Sequence, residues 1–248
     1  MMSGVRPARR PPARPRIRQA AVLVGGLGSR LGPLTASTPK PLLEVGGRPF
    51  LRWLVDELRR QGLRQILLLA GFGAEVLAAE FRGDADVDIS IEPAPLGTGG
   101  ALRLAAAQLD DAFLLLNGDS LFDIDYGALS ASLGAGEAVL ALRQVRDTAR
   151  YGVASVAAGR VTAFRSNGLG GAGLINGGVA CLRRTVLTRI APGRSVSIES
   201  EIYPVLAAEG QLRGRVFDAP FIDIGTPEDF TRGQSFVPQL LQGRRPAA

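Results

Sequence analysis

Short apolar runs recur along this chain, and most end at glycine, proline, asparagine or an acid. Residues 20–24 (AAVLV), 65–70 (QILLLA), 87–91, 112–116 (AFLLL), 138–142 and 174–179 have the length and continuity of strands. Elsewhere the spacing is helical. Residues 50–61 (FLRWLVDELRRQ) set Phe50, Leu51, Leu54, Val55 and Leu58 at helical spacing, and Gly62 closes the segment. Residues 73–81 form a second helix, and the glycine turn at 95–100 (PLGTGG) opens a third that runs through Gln108. Residues 151–164 read as a hairpin around Gly159, 168–173 as a flexible glycine segment, and 201–209 as a helix with Pro204 near its first turn. A strand ends at 221–224, after which Thr226 caps a helix with Pro227 at its first position. No internal repeat is present. This strand–helix alternation predicts a doubly wound α/β sheet. Ligands of such sheets sit beyond the carboxyl ends of the strands.

Polar residues gather at those ends. The first run leads straight into Gly25, Gly26 and Gly28, then Arg30, and then Lys40 within Pro39-Lys40-Pro41. Glycine after a strand lets the backbone approach a ligand and point several N–H groups at it, which is how phosphates are cradled. The loop matches neither G-x-x-x-x-G-K-[ST] nor G-x-G-x-x-G. Lys40 is the only lysine among 29 lysines and arginines. A position that stays lysine in such a background calls for a compact ammonium rather than a planar fork. Glu92 ends the third strand. Asp119 follows the fourth within Asn117-Gly118-Asp119-Ser120, where it is either a metal or catalytic carboxylate or the cap of the next turn. Asp123 and Asp125 read as loop acids. Asp223 alternates with Ile222 and Ile224 and so points away from their side.

Composition narrows the chemistry. At 248 residues, 46% hydrophobic and 21% charged, the chain suits one globular domain. Its net charge of +6 belongs to residues 1–18, which carry six arginines and no acid, so residues 19–248 are formally neutral. Nucleic acid is therefore not an expected partner. The arginine- and proline-rich tail 1–18 reads as disordered, and it lacks the apolar core of a secretory signal. No apolar run approaches the ~18 residues of a membrane span. A single cysteine, Cys181, forms no internal disulfide and fits a reducing cytoplasm. There are no histidines, which excludes Ser-His-Asp and Cys-His catalysis and histidine-based zinc sites.

The opening segment resembles the signature of the nucleotide-sugar pyrophosphorylases, or sugar-1-phosphate nucleotidylyltransferases. The match runs through Gly25, Gly26, Gly28, Ser29, Arg30, Leu31, Pro33, Leu34, Thr35, Pro39, Lys40, Pro41, Gly47, Arg48 and Pro49. Residues 95–100 look like the family's P-L-G-T-[AG]-G, residues 117–119 like its N-G-D, Tyr151-Gly152 and residues 176–178 like its sugar contacts, and residues 221–226 like its D-x-G-T. The likeness covers residues 19–235. It implies a Rossmann-like, GT-A type doubly wound mixed sheet over residues 19–240, one domain with a small sugar-binding appendage. It implies nucleotide contacts at Leu23, Gly25, Gly26, Gly28, Ser29, Arg30, Glu92, Gly97 and Thr98. Sugar-phosphate contacts would be Asn117, Gly152, Arg165, Asn176 and Gly178. Asp119 and Asp223 would hold Mg2+, and Arg30, Lys40 and Asp119 would be catalytic.

The implied reaction joins a nucleoside triphosphate and a sugar 1-phosphate into a nucleotide sugar and releases pyrophosphate. Several segments look most like the heptose 1-phosphate guanylyltransferases. A carboxylate at Glu92 can accept from both guanine N1–H and N2–H2, which leans towards GTP, although a solvated acid at a strand end fits the same residue. Mannose 1-phosphate guanylyl transfer, transfer of another nucleotide, or a weakly catalytic regulatory relative are the alternatives. Homo-oligomerisation stays open. One departure stands out: the family's F-x-E-K reads Phe164-Arg165-Ser166-Asn167 here, so that either Arg165 reaches the acceptor phosphate from a neighbouring position or the acceptor is held differently.

Overall fold

The computed structural model describes residues 17–26, 28–35 and 38–244. Most of the expected tail, residues 1–16, lies outside them. Residues 17 and 18 are part of the fold. Ile17 packs on the core, and the Arg18 carbonyl accepts the amides of Arg64 and Gln65.

Among the described residues, thirteen strands and six α-helices follow in chain order: β1 (Gln19–Leu23), β2 (Glu44–Val45), β3 (Arg48–Pro49), α1 (Phe50–Arg60), β4 (Gln65–Ala70), α2 (Ala74–Glu80), β5 (Val87–Ile91), α3 (Gly97–Leu104), β6 (Ala112–Asn117), β7 (Ser120–Phe122), α4 (Tyr126–Ala131), β8 (Ala138–Val145), β9 (Val153–Ala157), β10 (Arg160–Arg165), β11 (Gly173–Arg183), α5 (Tyr203–Ala208), β12 (Leu212–Val216), β13 (Phe221–Asp223) and α6 (Pro227–Leu241). Nine strands form one sheet in the order β5-β4-β1-β6-β11-β8-β12-β10-β9. The β5-β4-β1-β6 half is parallel, as the apolar runs with intervening helices predict. From β11 onward the sheet is mixed: β11 runs antiparallel to β6 and β8, while β12 runs parallel to β8. β9 also pairs with β11, so β11, β8, β12, β10 and β9 close into a ring.

The parallel strands read as unbroken apolar runs because both faces of the sheet are covered. Ala20 and Val22 pack into one core cluster with the buried residues of α1, and Ala21 packs into the opposite cluster with Leu102 of α3 and Leu206 of α5. Each large aliphatic side chain removed from water here is worth roughly 1.5–3 kcal/mol. The expected elements hold, with two changes. The third helix stops at Leu104 and is followed by a separate 3-10 turn, Ala106–Gln108. The expected helix at 201 is instead a π-turn, Ile198–Ile202, that leads into α5 with Pro204 in its first turn, where the missing N–H costs nothing. No helix of the described residues is long and apolar enough to cross a membrane.

Candidate active site

β1 delivers the glycine loop to the end of the sheet. Val24 N–H donates to Leu69 O at 3.0 Å, the last tie to β4 before the chain turns away. Gly28 has φ +66°, and a Cβ there would stand 2.9 Å from Thr35 Cγ2 and 3.2 Å from Lys40 Cβ. The turn therefore needs glycine both for its backbone and for its neighbours. A 3-10 segment, Ser29–Thr35, follows, and Thr35 Oγ1 donates back to Gly28 O at 3.1 Å. Lys40 begins a second short 3-10 turn, Lys40–Leu42, which is anchored by buried Pro41 and Leu42.

From this anchored turn Lys40 reaches the end of β6. Its Nζ donates to Asp119 Oδ2 at 2.6 Å, with both side chains largely buried. Ser120 Oγ donates to the other carboxylate oxygen at 3.1 Å. β7 and β13 form a two-stranded antiparallel sheet in which Asp223 faces Ser120. Ile224 N–H donates to Asp119 O at 2.9 Å. This pairing sets the two aspartates beside each other. Burial, and then repulsion from Asp119, push the Asp223 carboxyl up to about 6, against the pull of a hydrogen bond from Gly225 N–H at 2.6 Å. Arg150 flanks Asp223 on the other side. Its Nη2 lies 4.0 Å from Asp223 Oδ2 and donates to Tyr151 Oη at 3.0 Å, and its Nη1 pairs with Asp229 at 2.9 Å.

Two cavities meet at the Lys40–Asp119 pair. The larger, about 770 Å3, is mostly apolar and runs past Leu23, Gly25, Gly26, Glu92, Gly97 and Thr98. The smaller, about 270 Å3, is polar and holds Gly28, Arg30, Arg150, Gly152 and Asp223. Lys40, Asn117, Asp119, Asn176, Gly178 and Glu199 line both. The nucleotidyl transferase family profile matches residues 19–239. This chain belongs to that family.

Individual nucleotidyl transferases extend the likeness. The D-glycero-alpha-D-manno-heptose 1-phosphate guanylyltransferase of Campylobacter jejuni is 36% identical over 219 residues, 86% of this chain and 96% of the relative. A mannose-1-phosphate guanylyltransferase of Mycobacterium tuberculosis is 36% identical over 92% of this chain and 66% of its own length. Among solved structures, HddC from Yersinia pseudotuberculosis superposes with a TM-score of 0.79 at 31% identity, covering 88% of this chain and 98% of that one. HddC complexed with GMP-PN gives a TM-score of 0.78 at the same identity and coverage.

Within this member of the family, the residues expected at the nucleotide and at the sugar phosphate fall into the two cavities, with two exceptions. Ser29 is described by its backbone alone. Arg165 is exposed at the end of β10 and lines neither cavity. Phe164, its neighbour in the strand, turns inward against Tyr203, with ring centroids 5.4 Å apart, so alternation sends Arg165 outward. Two charged lining residues escape sequence reasoning. Arg150 is one arginine among 28 with no motif to mark it, and Glu199 sits on a π-turn with no clear period. Thr98 does more than line the wall, since its Oγ1 accepts Ile198 N–H at 2.9 Å and ties α3 to that turn. Glu92 is partly committed too, with its Oε2 accepting Leu96 N–H at 3.0 Å.

Among the described residues, no cluster of three or more His, Cys, Asp or Glu side chains could hold a metal. The two-carboxylate pair of Asp119 and Asp223 still fits a hard divalent cation, which takes one or two protein carboxylates and fills its other positions with phosphate and water oxygens.

Proposed function

We propose that this protein transfers a guanylyl group from GTP to a sugar 1-phosphate, a heptose 1-phosphate first among them, and releases pyrophosphate and a GDP-sugar. The observation that carries this reading is the convergence of Lys40, Asp119 and Asp223 where an apolar, nucleoside-sized cavity meets a small polar one. The larger cavity suits a base and ribose; the smaller, polar one suits the triphosphate's departing phosphates and a phosphorylated sugar.

In the reaction, an oxygen of the sugar phosphate attacks the α-phosphorus. The bond from that phosphorus to the oxygen bridging to the β-phosphorus breaks, and pyrophosphate departs with that oxygen. The attacking group is already anionic, so no general base is needed, which suits a chain without histidine. What the protein must supply is alignment and neutralisation of two polyanions. The amides of Gly25, Gly26 and Gly28 with Arg30 would hold the departing phosphates, and Lys40 would sit at the α-phosphate. Mg2+, held by Asp119 and Asp223, would supply further charge neutralisation to the phosphates.

Guanine is favoured by the guanylyltransferase relatives and by the GMP-PN complex of HddC, and Glu92 on the cavity wall would accept from the base. A mannose 1-phosphate acceptor is the second reading, supported by the mycobacterial relative. A matrix of nucleoside triphosphates against sugar 1-phosphates, read by pyrophosphate release, tests both. The highest kcat/KM is expected for GTP with a heptose 1-phosphate. Preference for UTP or dTTP would refute the guanylyl assignment.

A further inference from the structure

Glu199 is a half-buried acid in a site built for anions, and among the described residues no cation forms a salt bridge with it. Burial raises its carboxyl pKa, a hydrogen bond from Asn176 opposes that, and the charge of Asp119 adds to it; no cation is among the groups that shift it. The turn that carries it is held in place from several directions. Ile198 N–H is bound to Thr98 Oγ1, Ser197 Oγ accepts Ser200 N–H at 3.2 Å, and Glu201 Oε1 accepts Ser197 N–H at 3.0 Å. Asn176 Nδ2 donates to Glu199 Oε1 at 2.7 Å, while Asn176 Oδ1 accepts Gly178 N–H at 3.3 Å. Both ends of the Asn176 amide are therefore engaged within the protein. Its arrangement aims Glu199.

Glu199 lines both cavities. On the polar side it faces Gly152, where an added Cβ would stand 3.5 Å from Glu199 Oε1. An ionised carboxylate only accepts hydrogen bonds, at about four lone-pair sites, and Asn176 takes one. Phosphate oxygens cannot donate to the others and would repel them. The groups on a sugar 1-phosphate that can donate are its hydroxyls.

We infer that Glu199, aimed by Asn176, selects the acceptor by taking hydrogen bonds from one or two ring hydroxyls of the sugar. The inference rests on the proposed sugar 1-phosphate acceptor and deepens it. A buried polar group that loses its partner penalises the analogue lacking that partner. Sugars without the matching hydroxyl are therefore rejected.

The test pairs Glu199→Gln with a series of monodeoxy analogues of the accepted sugar 1-phosphate. With wild type, one analogue should lose on the order of 10–100-fold in kcat/KM. Glu199→Gln should lose a comparable factor on the full sugar, little further on that analogue, and leave KM for the nucleoside triphosphate unchanged. A merely structural role would lower all substrates alike and leave the deoxy penalty intact. Equal deoxy penalties in wild type and variant overturn the inference, as does a wild type indifferent to every deletion. If Glu199→Gln melts early, Glu199→Asp, which keeps the charge but withdraws it, should show the same collapsed penalty. Calorimetric binding of the sugar 1-phosphates reads the series without turnover. Failure of the transfer reading shows separately, as no pyrophosphate from wild type with any substrate pair.

Discussion

Lys40 Nζ stands 2.6 Å from Asp119 Oδ2 across 79 residues of sequence. The contact joins the short turn Lys40–Leu42 to the end of β6 at the boundary between the two cavities. Space around the lysine stem is short, since a single Cβ on Gly28 would already approach Lys40 Cβ to 3.2 Å. The chain's only lysine thus stands where a compact ammonium fits between a tight turn and a carboxylate.

Lys40→Arg should therefore cost far more than a like-for-like charge suggests. Removing a charge that stabilises a transition state costs on the order of 10²–10³ in rate, and Lys40→Ala should fall in that range. Arginine should recover only part of it, with kcat suffering more than KM for the nucleotide. Steady-state kinetics of the two variants decide the matter, and a fully active Lys40→Arg would show that shape at this position is irrelevant.

Much of this site could be read from the chain because its nucleotide side is local. The glycine loop, Arg30, Lys40 and Glu92 follow strands whose apolar runs are unambiguous, so their place at the sheet's carboxyl edge comes with the strands. The rest depends on long-range pairing. β7 and β13 have three residues each, too short for a periodic signal, yet their register brings Asp223 beside Asp119. The closing of β9 onto β11 depends on a bulged strand that continues through two glycines. Sequence neighbourhood alone points to Arg165, but the inward turn of Phe164 decides its side of the strand.

Asp223 should give the metal-free protein a measurable pH slope. Its folded-state carboxyl sits at about 6, against an ordinary 3.8. The folded protein then keeps a proton that the unfolded chain has already released. Stability from this source is complete below about 4 and is lost as pH rises through about 6. The loss amounts to roughly 3 kcal/mol at most. Asp223→Asn cannot ionise and should lack it. In chelator, melting curves of the two proteins should diverge from pH 4 to 7.5, with the variant the more stable at the upper end. Parallel curves would contradict the shift.

Tyr126 offers a test of packing away from the site. Its hydroxyl is buried without a hydrogen-bond partner among the described residues. Burying an unpaired polar group costs ~1–3 kcal/mol, and replacing it with an apolar group of the same shape is neutral or favourable. Tyr126→Phe should leave kinetics unchanged and raise Tm by about 2–4 °C per kcal/mol recovered. A lower Tm would mean that the hydroxyl is satisfied.

Pyrophosphate release by wild type and Asp119→Asn, with Mg2+, GTP and the accepted sugar 1-phosphate, tests the convergence of Lys40, Asp119 and Asp223 most directly. Asparagine keeps the shape of the side chain and its place beside Lys40 and Ser120 but removes the charge. Wild type should release pyrophosphate in step with GDP-sugar, and Asp119→Asn should run slower by on the order of 10²–10³ with its fold retained. An Asp119→Asn enzyme turning over at the wild-type rate across Mg2+ concentrations would contradict a reaction centred on these residues.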